Sequence, residues 1–193
     1  MNRKKPVFGV GVIAVVTAAL LIVRFTATLK YEQTTVGKYL GYSVKSLIDN
    51  KTSYVGNNGK VVALIDAMPL PEGIARSVVE LQTASSSPYG ITINFTMKDS
   101  SGVKVGGAIC GDAFYRNSII LFSLIDNVDV ISCNIVDKTG KYDGASYTFS
   151  YTREAAEGLI GEDMRNYAVS ADILKTLIDK VNNTPIGVES ENS

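Results

Sequence analysis

Seventeen consecutive residues, Val7 to Val23, carry no charged side chain, and nothing else in the chain constrains it as strongly. As a helix they span about 26 Å, and Phe25 to Leu29 extends the apolar stretch toward the roughly 30 Å of a bilayer's hydrocarbon core. Arg3, Lys4 and Lys5 precede the run, and Arg24 and Lys30 follow it. Charges at the ends alone are what a span requires, because a charge at the bilayer centre is costly. The pattern predicts a transmembrane signal-anchor over residues 7–29, with the lipid bilayer as partner through Val7 to Val23. The alternative is a signal peptide, cleaved to leave a secreted protein. Cleavage needs small residues at −3 and −1; Phe25 is too large for a cut after Ala27, while Thr26 and Thr28 allow a mediocre one after Thr28. The basic N-terminus favours residues 1–6 in the cytoplasm and the body outside.

Charge divides at the same place. Lys and Arg number nineteen, as do Asp and Glu, yet residues 1–30 hold five basic residues and no acidic one. The remainder therefore holds fourteen basic against nineteen acidic residues, which gives no footprint for nucleic acid. Histidine is absent. That removes the commonest general base, every Ser–His or Cys–His pair and most zinc chemistry.

Beyond the anchor, residues 30–43 are polar and read as a stalk or linker, residues 44–182 as one domain, and residues 183–193 as a polar tail. Val44 to Asp49 reads as a short helical turn. Asn57 or Asn58 is a candidate N-cap for a helix carrying Val61, Val62, Leu64, Ile65 and Met68, stopped by Pro69 and Pro71. Ile74 to Thr83 and Ile91 to Met97 read as strands, the second alternating apolar and polar residues with period two. The pattern then repeats in outline. After a Gly-rich link, Asp112 can cap a helix to about Asp126 that is apolar nearly all round, with a strand as its rival. Val128 to Val136 and Ala145 to Thr152 read as strands, Arg153 to Leu159 as a helix, and Ser170 as the cap of Ala171 to Val181. Helix, hairpin, helix, hairpin, helix predicts an α+β domain: antiparallel hairpins with helices packed on one face.

Several stretches resemble the bacterial domain of unknown function 4825. They are Lys51 to Asn58 (KTSYVGNN), Met68 to Pro71 (MPLP), Leu81 to Thr83 with Pro88 to Asn94 (PYGITIN), and Ile120 to Val128 (ILFSLIDNV). The resemblance implies an extracytoplasmic domain behind one transmembrane helix, or one fused to membrane metallopeptidases like the β-lactam sensors. It implies no activity, and it hints at signalling or regulation at the cell envelope.

Chemistry-bearing motifs are each matched by a plainer explanation. The triplets of penicillin-recognising serine enzymes occur in order as Ser101 to Lys104, Ser132 to Asn134 and Lys138 to Gly140, but Ser101 stands in a turn instead of at a helix start. Gly102 to Gly107 lacks the Lys and Ser/Thr of a phosphate loop, and Gly41 to Lys45 lacks the second glycine of a nucleophile elbow. Asp137, Thr139 and Asp143 could hold calcium, although the loop lacks EF-hand spacing. Cys110 and Cys133 could form one disulfide outside the cell or remain two buried thiols. Asp126 and Asp129 could pair as acid and base, or simply end a helix. Tyr54 and Tyr89 stand at turns and, with Asn57, form a candidate interaction surface, although capping the core edge is the commoner role of such tyrosines. No catalytic residue, metal or cofactor is expected. The sequence thus predicts a non-catalytic, membrane-anchored module for binding, sensing or regulation at the envelope, with an envelope or membrane protein as partner. A carboxylate-dependent hydrolase or transferase and a structural spacer are the alternatives.

Overall fold

A computed structural model describes residues 38–83, 87–105, 107–140 and 144–186. The expected anchor over residues 7–29 lies outside them, as does the tail beyond Ile186. Among the described residues, no helix is long and apolar enough to cross a membrane.

The elements follow in the order α1 (Val44–Asp49), α2 (Asn58–Asp66), β1 (Ile74–Gln82), β2 (Gly90–Met97), β3 (Lys104–Val105), β4 (Ala108–Ile109), α3 (Asp112–Leu124), β5 (Val130–Asp137), β6 (Ser146–Thr152), α4 (Arg153–Ile160), a 3-10 segment (Met164–Val169) and α5 (Ala171–Asn183). The alternation read from sequence forms the sheet. Ile91, Ile93, Phe95 and Met97 of β2, and Ile131, Cys133 and Ile135 of β5, are buried on one side, and Phe149 and Tyr151 of β6 join them. Helix α3 lies on that side: Phe114 packs its ring 5.1 Å from Phe95 and 6.2 Å from Phe149, and Tyr115 stacks on Tyr151 at 4.7 Å. Ile119 to Ile125 are buried almost without exposure, which is why their apolar pattern runs all round the helix. Each such side chain contributes about 1.5–3 kcal/mol. The opposite sheet face is polar. Thr148 donates to Asn134 (3.1 Å), Asn134 to Asn94 (3.1 Å) and Asn94 to Glu80 (2.9 Å), one hydrogen-bonded row across four strands.

The α+β class is as expected, and the sheet is rich in antiparallel pairing, but it is not antiparallel throughout. Its order is β1-β2-β5-β6, with two antiparallel hairpins meeting at a parallel β2–β5 pair in register from Gly90↔Val130 to Met97↔Asp137. The cause is the connection. The β3–β4 hairpin and α3 return the chain to the end where β2 began, so β5 must run the same way. The Gly-rich link contains that small hairpin.

Two local expectations shift. Asp112 is the first residue of α3 and Gly111 occupies the cap; a Cβ at Gly111 would stand 2.6 Å from the Phe149 ring, so only glycine fits. The folded body begins at Tyr39, ahead of the boundary expected at residue 44, and Tyr42 is buried in the core. The caps at Asn57, which accepts from the Lys60 N–H, and at Ser170, which accepts from the Ile173 N–H, are where the sequence places them.

Candidate functional site

Three of the singled-out stretches converge on the loop joining α3 to β5, residues 125–129. From one side, the Thr52 N–H donates to the Leu124 carbonyl (3.0 Å), the Asp126 N–H donates to the Thr52 carbonyl (3.1 Å), and the Val55 N–H donates to Asn127 Oδ1 (2.7 Å). From the other, the Tyr89 N–H donates to Asp129 Oδ2 (2.9 Å), and the Asp129 N–H donates back to the Tyr89 carbonyl (2.8 Å). Sequence alone placed Tyr54 and Tyr89 at turns and Asn57 at a helix cap. Their roles are unequal: Tyr54 is 48% exposed, Asn57 is spent on its cap, and Tyr89 is bonded to the loop at Asp129 and packs against the core edge.

Arg153 anchors the far side of the loop. It is the first residue of α4, and its guanidinium is turned inward. Nε donates to the Val128 carbonyl (2.9 Å) and Nη2 to the Ile125 carbonyl (2.7 Å), while its own N–H donates to the Asp129 carbonyl (2.8 Å). The group lies over the Phe122 ring, 5.4 Å from its centroid. Nη1 faces Glu157 Oε1 at 3.6 Å; neither atom has a hydrogen-bond partner, although both are shielded from solvent. Burial, and then the neighbouring Arg165, pulls the guanidinium below its ordinary pKa. Hydrogen bonds from the Arg165 side chain and backbone hold Asp163 below the usual carboxylate range.

Around Arg153 opens a cleft of about 520 Å³ lined by Asp129, Val130, Thr152, Glu154 and Glu157. A buried guanidinium at its base and the Asp129 carboxylate, held by the Tyr89 N–H, give it two fixed, opposed charges. Because Nη1 and Glu157 Oε1 are shielded and face each other, a ligand in the cleft would meet the exposed Glu154 and the half-buried Asp129. Sequence reasoning named Asp129 but missed Arg153, Glu154 and Glu157. One signal existed: Arg153 is a cation at a helix N-terminus, where the macrodipole disfavours positive charge.

The remaining candidates lie elsewhere or are occupied. Among the described residues, no cluster of three or more His, Cys, Asp or Glu is placed to hold a metal. Asp137 accepts from the Thr139 N–H (2.7 Å) as part of its turn, and Asp143 lies outside the described residues. Ser101 is in a turn, whereas Ser132 sits on the polar sheet face against Ser150 (2.9 Å). Cys110 and Cys133 are free thiols; Cys133 is buried, which pushes its pKa up to about 12. Asp126 follows the end of α3 and Asp129 is engaged by Tyr89, so both shape the loop.

Comparison with curated proteins and with solved structures gives no match. A family model does: "Domain of unknown function (DUF4825)" matches residues 47–152, from α1 to the last residue of β6. That range covers more than half of the chain and takes in every stretch quoted above for the resemblance, and the chain belongs to the DUF4825 family.

Proposed function

We propose that this protein is a non-catalytic, membrane-anchored module, displayed outside the cytoplasm of a bacterial cell, that binds an envelope or membrane protein in a regulatory role. The uncharged run from Val7 to Val23, with its basic flanks, supports the anchor and the orientation. The contact surface is the end of the domain built on residues 125–129, with exposed Tyr54 on one side and the Arg153 cleft on the other.

One observation carries the reading: the cleft's charges are fixed in place before any ligand arrives. Arg153 is held by the Val128 and Ile125 carbonyls, and Asp129 by the Tyr89 N–H. Pre-set polar groups give specificity at small ordering cost, which suits recognition. Photocrosslinking residues introduced at Tyr54 and Glu154 of the full chain in cells test this. One shared membrane or envelope protein captured from both positions is the expected result. Capture of nothing from either position at native expression, with the protein intact, contradicts it.

A further inference from the structure

Of the large apolar side chains the fold leaves exposed, Leu40 (57%) and Leu70 (39%) line one cleft of about 240 Å³, together with Pro69, Pro71, Tyr42 and Arg116. Leu40 is held there against its own preference. Tyr39 and Tyr42 exchange backbone hydrogen bonds of 2.8 and 2.9 Å across a two-residue turn, and both central residues have positive φ, 49° at Leu40 and 88° at Gly41. Positive φ at both positions is the type I′ pattern, which favours Asn, Asp or Gly first. A leucine in it crowds its Cβ against the backbone.

The base of this patch is rigid. A Cβ at Gly41 would stand 3.0 Å from Pro69 Cβ, so the turn is pressed onto the proline segment. The Tyr42 hydroxyl donates to Asn117 Oδ1 (3.0 Å), and Asn117 Nδ2 donates to the Pro69 carbonyl (2.7 Å), which ties both segments to α3. A strained, solvent-exposed leucine on a fixed support points to a use for its side chain.

Chain length says what that use is. Leu29 ends the apolar N-terminal run, and residues 30–38 alone separate it from Tyr39. Even fully extended, those nine residues reach about 30 Å. Leu40 follows at once, so an anchored chain holds this patch close to the bilayer at high effective concentration. We infer that the Leu40–Leu70 patch docks on the lipid bilayer, seating both leucines at the boundary between headgroups and acyl chains; this rests on the anchor proposed above. Apolar side chains on a rigid edge gain from burial there without ordering a flexible segment.

The test uses the full chain in phosphatidylcholine–phosphatidylglycerol vesicles, with Cys110→Ser and a nitroxide on Leu40→Cys or, separately, Glu154→Cys. Vesicle flotation at high salt and alkaline pH reads the anchor, and collision of the nitroxide with oxygen against a water-soluble nickel chelate reads the depth. Flotation with oxygen-dominated collision at 40 and nickel-dominated collision at 154 is the expected result. Adding Leu70→Ser should lower the oxygen-to-nickel ratio at 40 about twofold or more while flotation persists. Flotation with nickel-dominated collision at 40 overturns the docking and leaves the anchor standing, whereas loss of flotation overturns the anchor itself. Spin–spin broadening at 40 with both reagents excluded also overturns the docking, because a second copy then covers the patch.

Discussion

Leu40, Pro69, Leu70 and Pro71 surround the cleft beside the N-terminal half of α3, while Asp129, Arg153, Glu154 and Glu157 surround the cleft beyond its C-terminal end. From Ala113, Arg116 and Asn117, which line the first cleft, to Leu124 the helix rises about 10–16 Å, and it separates two surfaces of different chemistry. Both are fixed by hydrogen bonds to backbone carbonyls, Asn117 to Pro69 at one end and Arg153 to Ile125 and Val128 at the other. The contrast teaches that α3 does more than fill the core: it sets the spacing between an apolar edge and a charged edge. On the proposed reading the first meets lipid and the second meets a partner.

The largest effect is expected beside the apolar end. Phe114 is buried between Phe95 and Phe149, and Phe114→Ala should lower stability by about 4 kcal/mol, through lost burial and the cavity left behind. Urea unfolding in mild detergent reads it. At the charged end, Arg153→Ala should cost about 3 kcal/mol, because two carbonyls and Glu157 lose their partner. Residues 114 and 125 are about 16 Å apart along the helix, so the double variant should lose the sum of the two within about 0.5 kcal/mol. A larger departure from additivity would mean that the two ends are not independent.

Replacing a surface leucine should have the opposite sign. Leu40→Asn puts the favoured residue into the type I′ turn and should raise stability by about 0.5–1 kcal/mol, while weakening any contact with lipid. A stability loss in that variant would show that Leu40 is packed instead of strained. The smallest effect belongs to Asp163, whose folded pKa lies below its unfolded value. Its contribution is therefore present above the unfolded pKa, near 3.9, and is lost as pH falls through the folded value. For an exposed pair with Arg165, Asp163→Asn should cost a few tenths of a kcal/mol at neutral pH and nothing in strong acid, as paired thermal scans would report.

Much of the scaffold was legible because it obeys local periodicity. The alternation of β2, the proline stop after α2 and the all-round apolar α3 each reflect one element against one environment. The parallel seam was not legible, since β2 and β5 pair through register between residues forty apart, which no local pattern encodes. Arg153 escaped for the same reason: the carbonyls it binds, at 125 and 128, belong to a different element, and carbonyls leave no trace in sequence. Residues 39–43 read as stalk because they are polar and glycine-bearing. In fact Tyr42 is buried, and the Leu40–Gly41 turn is the sharpest local feature of that edge.

The arrangement as a whole depends on the charged end standing outside the cell. Glu154→Cys in a Cys110→Ser background, treated in intact cells with a membrane-impermeant maleimide, tests this most directly, because Cys133 is 2% exposed and its thiol is held protonated by burial. Residue 154 should be modified as completely in intact cells as after permeabilisation. Modification only after permeabilisation would place the Arg153 cleft in the cytoplasm and contradict the account.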